Sequence, residues 1–96
     1  MFLVITLGLD NKQWCVYILK CGDGSLYTGI TNDLPNRLRM HRNGRGAKYT
    51  KGRGPLSLHY MQPCDSKSDA LRRELEIKSF STIKKRELLS NHPLPE

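Results

Sequence analysis

WCVYILK at residues 14–20, the turn-forming CGDG at 21–24 and SLYTGIT at 25–31 together decide the fold. The two flanking runs are dense in aromatic and β-branched residues, which suit a pleated and half-buried surface, and the segment between them is built from turn formers. The pattern predicts a β-hairpin. Strand alternation places Trp14, Val16 and Ile18 on one face and Cys15, Tyr17 and Leu19 on the other, so Tyr17 faces away from the β-branched neighbours.

Working outward from the hairpin, Asn32 or Asp33 can cap a helix, Pro35 suits its first turn and Gly44 its end, which frames a helix over about Leu34–Asn43. Asn43 to Pro55 reads as a long loop with glycines at 44, 46, 52 and 54. Loops of this length inside a compact domain tend to carry function. Leu56 to Met61 alternates as a third strand that Pro63 closes. Ser66 or Ser68 then caps a helix over about Lys67–Ser79, and Ser81 opens a last helix to about Leu89. The expected fold is an α/β (α+β) domain, a three-stranded antiparallel sheet flanked by helices in the order β-β-α-β-α-α. The expected organisation is an N-terminal extension at 1–13, one domain at 14–90 and a tail at 91–96.

Ninety-six residues support one core. No apolar run is long enough to span a bilayer, so no membrane role is expected. The apolar start at Met1–Leu9 lacks the basic lead of a signal peptide and reads instead as an extra edge strand or loose extension. Pairing of Phe2–Ile5 as an edge would give a dimer; otherwise a monomer is expected. Cys15, Cys21 and Cys64 cannot all pair with one another and show no zinc-type spacing, which points to free thiols in the cytoplasm.

The net charge of +7 is unevenly spread. From Leu34 to Cys64 there is no acidic residue, yet this span carries Arg37, Arg39, Arg42, Arg45, Lys48, Lys51 and Arg53. Solvated basic runs are usually interspersed with acids. Their absence here, beside glycines that let a backbone approach a ligand, points to a polyanion, most simply nucleic acid. Arg45, Lys48, Lys51 and Arg53 are the candidate contacts.

Two helices break their own periodicity. Leu34, Leu38 and His41 share the face of the first helix that should pack inward, with Arg37 beside them. Either polar residue alone suits a satisfied core histidine or an arginine that snorkels to the rim; the pair, one turn apart, points to function. In the second helix Ala70, Leu71, Leu75 and Ile77 define an apolar arc, with Glu74 near its middle and Glu76 opposite. An inward carboxylate requires a partner, either an arginine, for which Arg37 is the candidate, or a cation. An arginine, a histidine, a carboxylate and tyrosines beside a basic loop can together hold a hard cation, stabilise phosphoryl charge and move a proton.

These residues resemble the GIY-YIG nuclease superfamily, and in particular its small stand-alone bacterial proteins. Val16-Tyr17-Ile18 and Tyr27-Thr28-Gly29 are similar to its two signature elements, and Arg37 and His41 stand where the family has its helix arginine and a following histidine. The run Ala70-Leu71-Arg72-Arg73-Glu74, with Ile77-Lys78 after it, resembles the segment that carries the metal-binding glutamate. The elements occur in order from Trp14 to about Leu89. Val for the first Gly and Thr for the central Ile depart from the pattern but leave both tyrosines and Gly29 in place.

The resemblance implies a DNA endonuclease with one Mg²⁺ or Mn²⁺ on Glu74 and a water activated with help from Tyr17. It implies further that Arg37 clamps the scissile phosphate, and that Tyr27 and His41 position or protonate. The sequence leaves open which tyrosine is the base. Lys48 and Tyr49 lie in a Gly-Ala-Lys-Tyr-Thr stretch that also resembles the subgroup. Relatives of this type often carry a separate DNA-binding domain, which is not expected within these 96 residues; a partner protein supplying specificity, or a DNA-binding module of little activity, is the alternative expectation.

Overall fold

The computed structural model describes residues 13–92. The extension and its possible edge strand at Phe2–Ile5 lie outside the described residues, as does the end of the tail. Six elements follow one another: β1 (Cys15–Lys20), β2 (Leu26–Thr31), α1 (Leu34–Arg42), β3 (Ser57–Pro63), α2 (Lys67–Lys78) and α3 (Thr82–Asn91). The order β-β-α-β-α-α and the α+β class are those expected.

The sheet is antiparallel throughout, in the order β2-β1-β3. The centre belongs to β1 because its residues are apolar on both faces, and Cys15 through Leu19 are all buried. Its hairpin register sets Tyr17 opposite Gly29 and Leu19 opposite Tyr27. On the far side Tyr60 lies opposite Ile18 but Leu58 opposite Leu19, so His59 is accommodated as a bulge. β3 runs on to Pro63, past the expected end at Met61. A proline without an N–H is tolerated there because β3 is an edge strand.

One face of the sheet carries the apolar core. Val16, Ile18, Tyr60, Cys64, Ala70 and Ile77 form it, with Trp14, Leu26, Ile30, Phe80, Leu88 and Leu89 packed around them. Ala70 and Ile77 are fully buried, whereas Leu71 is 41% and Leu75 67% exposed. The apolar arc expected for α2 is therefore rotated. Ala70, Glu74 and Ile77, at helical spacings of four and three, form the inward stripe, and the two leucines lie on its flank. Ala70 sets this orientation, since its small side chain lets the helix backbone approach the sheet closely.

The other face of the sheet, to which Tyr17 points, is covered by α1 and the loop after it. Asp33 caps α1 by accepting from the Asn36 N–H, and Pro35 sits in the first turn. Gly44 ends the helix with φ +78, the left-handed conformation glycine adopts without penalty, and its N–H bonds to the His41 carbonyl. Ser66 and Ser81 cap α2 and α3 in the same way as Asp33 caps α1. The last helix extends past Leu89 to Asn91.

Candidate active site

Tyr17 is held in the middle of β1 with 0% exposure, and His41 is delivered by the last turn of α1 with 2%. The Tyr17 hydroxyl and His41 Nε2 are 2.8 Å apart, a buried hydrogen bond between residues 24 apart in sequence. The other ring nitrogen, Nδ1, lies 2.9 Å from Thr50 Oγ1 in the loop. Half-buried Tyr27, on β2, packs its ring 5.2 Å from the His41 ring and 6.3 Å from that of Tyr17. Tyr49, 43% exposed, continues the series 5.9 Å beyond Tyr27.

Two glycines let these rings come so close. A Cβ at Gly29 would stand 2.7 Å from the Tyr17 oxygen, and one at Gly46 would stand 2.5 Å from His41 Cγ and press on Nδ1 beside it. Both are far inside van der Waals contact. The second glycine belongs to the basic loop, which is therefore packed directly on the histidine.

Arg37, one turn before His41, acts on both partners, on Tyr17 by hydrogen bonding first and charge second, on His41 by charge. Burial first, and then the neighbouring Tyr27, push the Tyr17 phenol well above its usual range, and the Arg37 guanidinium pulls it part of the way back. Burial first, and then the Arg37 charge, hold His41 below its ordinary value. At neutral pH the pair is therefore a protonated phenol against a neutral imidazole. Arg37 Nε is buried and has no hydrogen-bond partner among the described residues. Such an orphaned donor costs about 1–3 kcal/mol, a cost that an incoming acceptor would relieve. A cleft of about 490 Å³ opens beside it, lined also by Trp14, Ile30, Asn32 and Asn36.

Glu74 faces inward as expected, its side chain 15% exposed against 57% for Glu76. Its partner is not Arg37. Lys78 Nζ lies 3.2 Å from Glu74 Oε2, one turn along α2. The correction has a local reason: Lys78 stands four residues further along the same helix, where its ammonium reaches the Glu74 carboxylate without any long-range packing. The structure thus brings Tyr17, Tyr27, Arg37 and His41 together and leaves Glu74 without a direct bond to any of them.

Among the described residues no group of three or more His, Cys, Asp or Glu side chains could cage a metal. A single half-buried carboxylate does fit Mg²⁺ or Mn²⁺ of the kind that keeps several waters and takes its remaining oxygens from substrate phosphates. Such an ion would have to displace the Lys78 ammonium.

Arg45, Lys48, Lys51 and Arg53 all lie at the surface of the loop. Arg53 is the most tied of the four. It pairs with Asp23 of the hairpin turn at 2.6 Å, lies 4.6 Å over the Tyr49 ring, and its carbonyl accepts from the Gly22 N–H at 2.6 Å. Hydrogen bonds from Ser25, and then the Arg53 charge, hold Asp23 at about 2, so it remains a carboxylate there. The hairpin turn thereby fastens the far end of the loop. Sequence reasoning missed Asp23 and Thr50. No local signal in the sequence marks Thr50, since threonine is ordinarily an exposed loop residue.

A small α+β domain with tyrosines on adjacent antiparallel strands, facing an arginine and a histidine one turn apart on the next helix, has the framework of a nuclease superfamily. The chain belongs to the GIY-YIG catalytic domain family, whose sequence pattern matches residues 13–86. It is 56% identical over 75 residues to a UPF0213 protein of Staphylococcus saprophyticus subsp. saprophyticus, spanning 78% of this chain and 92% of that protein. A UPF0213 protein of Oceanobacillus iheyensis is 48% identical over 79 residues, covering 82% of this chain and 92% of the relative. The solution NMR structure of a UPF0213 protein from Bacillus halodurans, 47% identical, superposes with a TM-score of 0.58 over 86% of this chain and 88% of that one. Among the described residues no helix is long and apolar enough to cross a membrane.

Proposed function

We propose that this chain is a metal-dependent endonuclease that hydrolyses phosphodiester bonds of DNA in the cytoplasm, in DNA repair or processing. The observation that carries the reading is a buried tyrosine bonded to a neutral histidine, beside an arginine whose Nε is buried and unpaired.

Each residue has a task that its surroundings support. Arg37 receives phosphoryl oxygens on its donor fork, which satisfies the orphaned Nε and stabilises charge that grows in the transition state. As the water oxygen forms its bond to phosphorus, the water proton passes to the Tyr17 oxygen and the Tyr17 proton passes to His41 Nε2. The P–O bond to the leaving oxygen breaks, the imidazolium returns its proton to the Tyr17 oxygen, and the proton that oxygen took from water passes to the leaving oxygen or to solvent, restoring the resting pair. Tyr17 is sealed from solvent in the free chain. The step therefore waits for substrate to bring the water in past Tyr27, the more accessible tyrosine. Glu74 would hold Mg²⁺ or Mn²⁺, which when bound withdraws charge from the phosphoryl oxygens. Arg45, Lys48, Lys51 and Arg53 would track the DNA backbone.

The test is a panel of plasmid, nicked, flapped and branched DNA incubated with Mg²⁺ or Mn²⁺. Metal-dependent product that disappears in Glu74→Ala supports the reading. No product from the wild type, or undiminished product from the variant, sinks it.

One observation favours a second reading, a DNA-binding module with little turnover until a partner protein supplies specificity. Glu74 is already neutralised by Lys78 and is not bonded to the other four residues. Binding without cleavage, weakening steeply with salt as phosphate contacts release counterions, would select it. Sedimentation separates a monomer from a weak dimer in either case.

A further inference from the structure

Between Arg45 and Pro55 every loop residue is exposed or half-buried except Thr50, which is 1% exposed. Its hydroxyl has two neighbours inside hydrogen-bond distance, the Ala47 carbonyl at 3.2 Å and His41 Nδ1 at 2.9 Å. The directions of these bonds follow from chemistry. A carbonyl can only accept, so the single Thr50 hydrogen goes to Ala47, and Thr50 Oγ1 must then accept from His41. Nδ1 therefore carries the imidazole hydrogen, and the lone pair is left on Nε2, 2.8 Å from the Tyr17 hydroxyl.

We propose that Thr50 is a positioning residue that holds His41 in the Nδ1–H tautomer, leaving Nε2 as the acceptor for the Tyr17 proton. This assignment rests on the nuclease reading above and adds to it the group on which the proton step depends. In the opposite tautomer Nε2 would already hold a hydrogen and could take no proton from Tyr17. In the assigned one, the imidazolium formed by transfer has both N–H groups paired, one to the Tyr17 oxygen and one to Thr50 Oγ1. The Gly46 backbone closes the Nδ1 edge of the ring. A flipped imidazole would set carbons against both Thr50 and Tyr17 and leave buried polar groups unsatisfied. With Thr50 1% exposed and its hydroxyl engaged by Ala47 and His41, it acts through the histidine.

The experiment reads the tautomer directly. The chain has three histidines; with ¹⁵N-labelled histidine and His41→Gln to assign the spectrum, long-range ¹H–¹⁵N correlation reports which His41 nitrogen is protonated at pH 7. The wild type and Thr50→Ser are expected to show Nδ1–H. Thr50→Val, equal in shape but without the oxygen, is expected to lose that preference and to lower single-turnover kcat by about 10- to 100-fold at unchanged KM, with Ser restoring it. Thr50→Ala is read in parallel, so that one poorly folded variant does not decide the matter. An Nε2–H wild type, or a Val variant that keeps both the Nδ1–H tautomer and the wild-type kcat, overturns the assignment. Because the tautomer is read without DNA, an inactive wild type that still shows Nδ1–H counts against the nuclease reading and upholds the role of Thr50.

Discussion

Adding one methyl group at Gly46 tests whether the loop and the histidine are a single packed unit. In Gly46→Ala the new Cβ would press on His41 Nδ1 and stand 2.5 Å from its Cγ and 2.8 Å from its Cα, where ordinary contact begins near 3.4 Å. Something must retreat by about 1 Å. The Cα belongs to the backbone of α1 and yields poorly, so the loop yields. Thr50 lies further along that loop, and a retreat of about 1 Å stretches its 2.9 Å bond to His41 beyond hydrogen-bonding range. Gly46 does not have a positive φ, so alanine is strained only by this contact. Overpacking of this kind costs about 1–3 kcal/mol, and for a domain of this size that lowers Tm by roughly 5–20 °C. A misplacement of about 1 Å in a proton-transfer partner lowers single-turnover cleavage by roughly 10²-fold. Gly52→Ala is the matched control. Gly52 has φ +76 but nothing within 4 Å of a Cβ, so its cost is conformational, about 1–2 kcal/mol, and cleavage is expected to be unchanged. Thermal unfolding followed by circular dichroism, with single-turnover cleavage on the same samples, gives the answer. A Gly46→Ala protein with wild-type Tm and wild-type rate refutes the close packing of the loop on His41.

Three further outcomes are expected. Arg37→Met removes the buried, unpaired Nε and so should melt no lower than the wild type while cleavage falls about 10³-fold; a sharply lowered Tm would make Arg37 a structural residue instead. Glu74→Gln should change stability by less than about 1 kcal/mol, since its Lys78 partner is half-exposed, yet abolish Mn²⁺ binding in calorimetry; retained binding would remove Glu74 as the metal ligand. The depressed His41 sets a pH dependence of known sign. As pH falls below about 6.5 the unfolded chain takes up a proton that the buried imidazole refuses, so Tm falls with pH until the folded-state value is passed, and His41→Gln should flatten that part of the curve.

How much of the site was legible in the sequence depended on the distance over which each residue is argued. Arg37 and His41 stood out because a helical face that packs inward carried two polar groups, and burial of His41 beside Tyr17 gives the reason. Glu74 was read as inward from the same periodicity, and its low exposure agrees. Of its two candidate partners, an arginine such as Arg37 or a cation, the first gives way to Lys78, because periodicity fixes the direction of a side chain but not what lies across from it. Leu71 and Leu75 were placed on the packing face for a related reason: the apolar sum of an arc does not say which residue is small enough to let the helix approach.

The hairpin, the capped helices, the α+β order and the acid-free basic loop are all legible from residue types and spacing. Each of these rests on residues within a turn or two of one another, whose spacing, capping oxygens and charge act locally. Tertiary structure alone decided that Thr50 turns in from the loop to His41, that Asp23 holds Arg53, and that Glu74 meets Lys78 and not Arg37. Asp23 and Arg53 are 30 residues apart and Tyr17 and His41 are 24 apart. Hydrogen bonds and ion pairs require positions good to a few tenths of an ångström, which the chain acquires only when its long-range packing closes.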